Sequence, residues 1–178
     1  MKATNVESLF GLMDEAITLL QTEAELTYVE ALSETLENLS FEAKAQQVEG
    51  LPSNEAVERL NSLYKKMNLD ALDKEIIRKS IQLTFIKATK EDKLQMNHQM
   101  TPDTIAYLIA YFIGEIKKDK TEKLHVSDLA AGTGNLLNIV VAHLTSRGNE
   151  VTAEAVDNDD LLISVAANSG ALLGFSEK

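Results

Sequence analysis

Between Leu124 and Leu137 the chain reads LHVSDLAAGTGNLL, the stretch that most restricts what it can fold into. Apolar residues at alternate places, Leu124 and Val126, lead to Asp128. A turn follows with Gly132 and Gly134, and then Leu136, Ile139, Val140 and Leu144 recur at helical spacing. Such a run reads as strand, glycine turn and helix. Arg147, Gly148 and Asn149 form a return turn. Val151 to Val156 reads as a second strand, and Asp160 to Leu173 as a second helix with Gly174 placed to cap it. A strand, a helix and a strand of these lengths require a right-handed crossover and a parallel pair.

The residues ahead of this unit read as helices. Val6, Leu9, Phe10, Met13, Ile17 and Leu20 step by three and four, with Thr4 and Glu7 spaced as a capping box. Leu26, Val29, Leu32, Leu36 and Leu39 make a second stripe. Behind Pro52 and Ser53, Val57, Leu60, Tyr64 and Met67 make a third, and Leu72, Ile76, Leu83 and Ile86 a fourth. The stripes predict a small all-α bundle and carry no chemistry. A polar, aperiodic segment around residues 89–97 predicts the division into a helical domain at 1–90 and an α/β domain at 91–178. Thr101 is placed as an N-cap and Pro102 as the first residue of a helix, in which Ile105, Leu108, Ile109, Phe112 and Ile113 predict a broad buried stripe.

Composition excludes several classes. Cysteine is absent, which removes disulfides and thiolate metal sites, and His98, His125 and His143 are scattered, so no metal is expected. The formal net charge is −11. Lys117, Lys118, Lys120 and Lys123 are diluted by Asp119 and Glu122 and read as a solvated linker, so any grip on a phosphate backbone comes largely from elsewhere. No apolar run approaches the roughly 20 residues of a membrane span. The N-terminus turns acidic too early for a secretory signal, and a cytoplasmic location is expected.

The glycine turn has a chemistry. A glycine there adopts positive φ and, lacking a Cβ, lets backbone approach a ligand closely. The helix that follows presents free N–H groups to a carboxylate or phosphate. Asp157, at the end of the second strand and some twenty residues past the loop, is placed to accept both hydroxyls of a ribose. Both NAD and S-adenosyl-L-methionine satisfy that much. Two residues discriminate. Leu137 stands where the dinucleotide fingerprint has its third glycine, and Asp128 puts a carboxylate just before the loop, where it repels a pyrophosphate but pairs with an ammonium or a sulfonium. S-adenosyl-L-methionine carries both cations.

These residues also resemble a family. Asp128-Leu-Ala-Ala-Gly132-Thr-Gly134-Asn-Leu resembles the first motif of class I S-adenosylmethionine-dependent methyltransferases, and Val156-Asp157-Asn158-Asp159-Asp160 resembles their second, acidic motif. Asn97-His-Gln-Met-Thr101-Pro102, followed by an apolar helix, is similar to the segment that precedes the first motif in N6-adenine DNA methyltransferases, including type I modification subunits. Leu129 and Met100 stand where that group often has proline and an aromatic. The resemblance implies a Rossmann-like α/β fold, with an incomplete parallel sheet, behind the helical domain. It implies that Asp128 pairs with the cofactor ammonium, that Ala131, Gly132, Thr133 and Gly134 lie along its methionine portion, and that Asp157 takes the ribose. Thr101 and Pro102 would close the methionine end, and Asn158 and Asp159 would border the adenine. The last two fit equally the N-cap of the next helix, and Thr101-Pro102 fits a plain helix cap.

The group's catalytic Asn/Asp-Pro-Pro-aromatic motif does not occur in the chain, so none of its catalytic residues is expected here, and DNA would be met by a further part of a longer protein. Methyl transfer to protein or a small molecule is the alternative, and a non-catalytic interaction module on the same scaffold a third. Two parallel strands leave an unpaired edge and a bare face, which predicts a homo-oligomer. Sedimentation at high concentration should show self-association, and a well-ordered monomer would count against it.

Overall fold

The structure, a computed structural model, describes residues 2–94, 100–117 and 123–175. The chain divides into two compact units, Met1–His98 and Gln99–Lys178. The first comprises α1 (Val6–Ala24), α2 (Tyr28–Ser40), α3 (Asn54–Met67), a single 3₁₀ turn at Leu69–Ala71, and α4 (Lys74–Glu91). The second comprises α5 (Asp103–Ile116), β1 (Lys123–Asp128), α6 (Asn135–Ser146), β2 (Glu150–Ala155) and α7 (Asp160–Leu173). Among the described residues no helix is long and apolar enough to cross a membrane.

In the helical unit α1 packs against each of the other three helices. Leu9, Met13, Ile17 and Leu20 are fully buried on it, against Leu32 and Leu36 of α2, Leu60, Tyr64 and Met67 of α3, and Ile77 and Phe85 of α4. Burying such side chains stabilises by roughly 1.5–3 kcal/mol each. The cap of α1 is one residue later than the spacing of Thr4 and Glu7 suggests: Asn5 Oδ1 accepts from the Ser8 N–H at 2.8 Å, and Ser8 Oγ accepts from the Asn5 N–H at 3.0 Å. The fourth stripe is rotated. Leu83 and Ile86 are exposed, and α4 buries Ile77, Ile81, Thr84, Phe85 and Ala88. The rotation is open to α4 because Ser80 and Thr84 donate their hydroxyls back to the Ile76 and Ser80 carbonyls, both at 2.8 Å, and so can enter the core satisfied.

Polar groups fix the packing of this bundle. Tyr28 of α2 donates its hydroxyl to Asp14 of α1 at 2.6 Å, and Lys87 of α4 donates to the same carboxylate oxygen at 2.6 Å. Asp92, just past α4, accepts from the Tyr28 and Val29 N–H groups at 3.1 and 2.7 Å and so caps α2 from another helix. The irregular connection from α2 to α3 is held by Asn38, whose buried side chain accepts from the Gln46 N–H at 2.9 Å and donates to Tyr64 at 3.3 Å.

In the second unit β1 and β2 are parallel, in a register that runs from Lys123↔Glu150 to Asp128↔Ala155. One face carries Leu124, Val126 and Val151 beneath α5 and α6, where they join Ala106, Ala110, Ile139, Val140 and Leu144 in a core. The broad stripe expected on α5 is not the buried one. Ala106, Ala110 and Gly114 face inward, while Ile105, Leu108 and Phe112 are 46%, 47% and 54% exposed. A row of small residues lets α6 approach closely, and interaxial distance follows the side chains at the contact. At Gly114 a Cβ would lie 3.1 Å from the Arg147 side chain, which donates to Glu115 at 3.0 Å.

The other face of the sheet is a polar ladder. Lys123 pairs with Glu150 at 2.9 Å, His125 Nδ1 meets the Thr152 hydroxyl at 2.9 Å, and Ser127 donates to Glu154 at 3.1 Å. His125 therefore stands on this exposed face, and not against a helix as a strand histidine would be expected to.

The burial of two phenols sets an alkaline limit on the helical unit. Burial, reinforced by the Asp14 carboxylate, holds the Tyr28 hydroxyl far above the usual phenol range. Burial pushes Tyr64 up to about 12. Both are raised relative to the unfolded chain, so their contribution to stability is complete below pH ~10 and is lost as pH rises through the folded value. Helicity by circular dichroism is expected to hold to about pH 10 and to fall as pH approaches about 12. Tyr64→Phe should move that midpoint upward, and an unchanged midpoint would contradict the assignment.

Candidate functional site

The residues singled out in the sequence converge at the C-terminal end of the two parallel strands, where open α/β sheets bind ligands. After Asp128 the chain leaves β1 but stays paired with β2: the Val156 N–H donates to the Asp128 carbonyl at 2.8 Å, and the Ala131 N–H to the Val156 carbonyl at 3.0 Å. The Asp128 carboxylate accepts from the Ala130 N–H at 3.2 Å, an Asx turn that starts the bend. Gly134 N–H then donates to the Ala131 carbonyl at 2.8 Å and closes it. Ala131 and Thr133 are buried, and Asp128 is half-buried.

The two glycines differ in what they provide. Gly134, at φ 74°, is the N-cap of α6, and a Cβ there would lie 3.0 Å from the Ala166 Cβ of α7. Close packing of α7 on the loop therefore demands glycine. Gly132, at φ 53°, has open space where a Cβ would stand, with nothing within 4 Å. Its side of the loop is free for a ligand to approach the backbone.

Asp157 joins loop to strand. Its Oδ2 accepts from the Gly132 N–H at 2.8 Å, and its Oδ1 from the Asp159 N–H at 3.1 Å. Asp159 caps α7, accepting from the Leu161 and Leu162 N–H groups at 3.0 and 3.1 Å. Of the two roles open to Asp159, the structure displays the cap. Asn158, between them, is exposed.

Thr101 and Pro102 lead into α5 one residue differently from expectation. Pro102, with extended ψ 139°, is the N-cap and the helix begins at Asp103. The Pro102 carbonyl accepts from the Ile105 and Ala106 N–H groups at 2.9 and 3.0 Å. The Thr101 segment reaches the loop through a residue that sequence reasoning missed. Asn135, the first residue of α6, donates through Nδ2 to the Thr101 carbonyl and to Asp103 Oδ1, both at 3.3 Å. Its one signal was a polar amide where an apolar helix pattern begins. Residues 97–99 of the resembling segment, and Lys118 and Lys120 of the linker, lie outside the described residues.

The site is acidic by construction. Asp103 starts α5, Asp128 ends β1, and Asp157 and Asp159 lie between β2 and α7, while no lysine or arginine occurs from Leu124 to Ser146 or from Glu150 to Glu177. Such a field favours a cationic or hydroxyl-bearing ligand over a pyrophosphate. Among the described residues no cluster of three or more side chains suits a metal ion.

Residues 7–89 match the model of the YtxK N-terminal helical domain. The chain is 34% identical over 173 residues to the uncharacterized protein YtxK of Bacillus subtilis (strain 168), covering 97% of this chain and 51% of that protein. It is also similar to a crystal structure from Listeria monocytogenes, provisionally assigned as a class I S-adenosylmethionine-dependent methyltransferase. The TM-score is 0.82 and the identity 38%, over 96% of this chain and 51% of that one. The chain thus spans about half the length of the relatives it matches. Its fold, a helical domain followed by the opening strands of a Rossmann-like sheet, is that of the Listeria structure.

Proposed function

We propose that this chain is the cofactor-binding part of a class I S-adenosyl-L-methionine-dependent methyltransferase, with N6-adenine in DNA as the substrate class. The observation that carries the first half is the 2.8 Å hydrogen bond from the Gly132 N–H to Asp157, which sets an acid beside a loop whose open side leaves room for a ligand. The donor set fits the group. Asp157 accepts the ribose hydroxyls, as an acceptor-only carboxylate beside the loop suits. Asp128 pairs with the ammonium, the Ala131 to Gly134 backbone lies along the methionine portion, and Thr101 and Pro102 close that end. With Asp159 engaged as a cap, exposed Asn158 borders the adenine. When bound, the cofactor supplies a methyl carbon activated by its sulfonium. The residues of this chain hold and orient one of the two reactants, and such positioning is a large part of the barrier reduction.

The DNA assignment rests on the order of segments, a Thr-Pro entrance to a helix ahead of the glycine loop, together with the tie between them at Asn135. The net charge of −11 makes this chain a poor partner for phosphates by itself, so contact with DNA falls to the rest of a longer protein. The same charge favours the second reading, methyl transfer to a protein or small molecule.

Calorimetry with S-adenosyl-L-methionine on the intact protein should show binding. Asp157→Ala should weaken it by roughly ten- to a hundredfold, since hydrogen bonds to charged groups contribute about 1.5–3 kcal/mol. Gly132→Ala should weaken it as well, since it fills the open side and strains the loop by about 1–2 kcal/mol. No binding by the wild type overturns the reading. Binding without methylation of adenine in duplex DNA moves the substrate to the second class.

A further inference from the structure

We infer that Asn135 is a positioning residue, which locks the Thr101–Asp103 segment onto the glycine loop so that this segment forms the wall at the methionine end of the cofactor. The inference rests on the cofactor reading above and concerns a residue of the glycine motif, Asn135, to which that reading gives no role.

Asn135 follows Gly134 directly and is 5% exposed, although its neighbours Leu136 and Leu137 show that an apolar side chain is the local habit. An amide taken out of water is costly unless its hydrogen bonds are made. Nδ2 has two N–H donors, and the Thr101 carbonyl and Asp103 Oδ1, each at 3.3 Å, both belong to the entrance of α5. The backbone of the same residue starts α6, so its side chain is carried by the loop and grips the segment that precedes the sheet. The loop is thereby held from two sides. Asp157 takes it at Gly132, and Asn135 takes the α5 entrance at the other end. A ligand whose sugar sits at Asp157 and whose chain runs along Ala131 to Gly134 ends against the segment that Asn135 fixes. The adenosine end has no such dependence.

Two probes separate the ends: S-adenosyl-L-methionine, and 5′-methylthioadenosine, which keeps the nucleoside and sulfur but lacks the amino-acid chain. Asn135→Leu keeps the size and removes the N–H donors without adding a charge, and Asn135→Ala removes the amide. In the intact protein both variants should raise the Kd for S-adenosyl-L-methionine about tenfold, as expected for two modest hydrogen bonds, while the Kd for methylthioadenosine stays within about twofold. Retained methylthioadenosine binding also shows that the variant is folded. Parallel loss of both ligands, or no change in either, overturns the role of Asn135 and leaves the cofactor reading standing. A wild type that binds neither probe overturns the cofactor reading and this inference together.

Discussion

The carboxylate of Asp157 accepts from Gly132 on one oxygen and from Asp159 on the other, and the ligand end of the sheet is arranged around it. Through Gly132 it adds a side-chain anchor to a loop that the Ala131–Val156 and Gly134–Ala131 backbone bonds also hold. Through Asp159 it sets the start of α7, whose Ala166 then packs against Gly134. The pairing of Val156 with Asp128 and Ala131 carries the strand ladder past the formal end of β1 and ties the loop to the strand. Hydrogen bonds to a charged acceptor are individually about twice as strong as neutral ones, which suits a carboxylate to the task. The arrangement leaves the open side of Gly132 as the place where backbone and ligand can meet.

Much of this was legible. Among the described residues the two periodicities placed all seven α-helices and put both strands within a residue of their observed bounds, while the stripes read on α1 and α4 stop several residues short of the helix ends. Gly174 stands at φ 85° as the cap of α7, as its position suggested. What was misread follows from treating apolar residues as the only ones that go inside. On α4 the hydroxyls of Ser80 and Thr84 are satisfied within the helix and enter the core, which turns Leu83 and Ile86 outward. On α5 the large residues suggested the buried face, while the contact with α6 is made by Ala106, Ala110 and Gly114. The capping shifts at Asn5 and Pro102 are single-residue errors among adjacent competent residues. The strand-end positions of Asp128 and Asp157 and the positive φ of Gly132 and Gly134 were readable from spacing, whereas Asp103 was not singled out. Asn135 was not, since an amide at a helix start has no pattern until its partners are brought from thirty residues away.

Buried amides recur as organisers in both units. Asn38 holds the connection between α2 and α3 while bonding Tyr64, and the half-buried Asn61 supports it, accepting from the Ala45 N–H at 2.8 Å in the same connection. Each substitutes a side chain for the secondary-structure partners that an irregular backbone lacks. A network of this kind is worth its desolvation cost only when complete, and it then specifies one arrangement among many of similar apolar burial.

The polar face of the sheet has a further consequence. Side chains alternate with a period of two, so the apolar face cannot by itself distinguish the observed alignment of β1 and β2 from one displaced by two residues. Displacement would set Lys123 opposite Thr152 and strand Glu150 without its cation, whereas the observed alignment matches Lys123 with Glu150 and Ser127 with Glu154. The exposed rungs thus tilt strand alignment toward the observed register by a modest margin, since an ion pair as exposed as Lys123–Glu150 contributes roughly 0–1 kcal/mol.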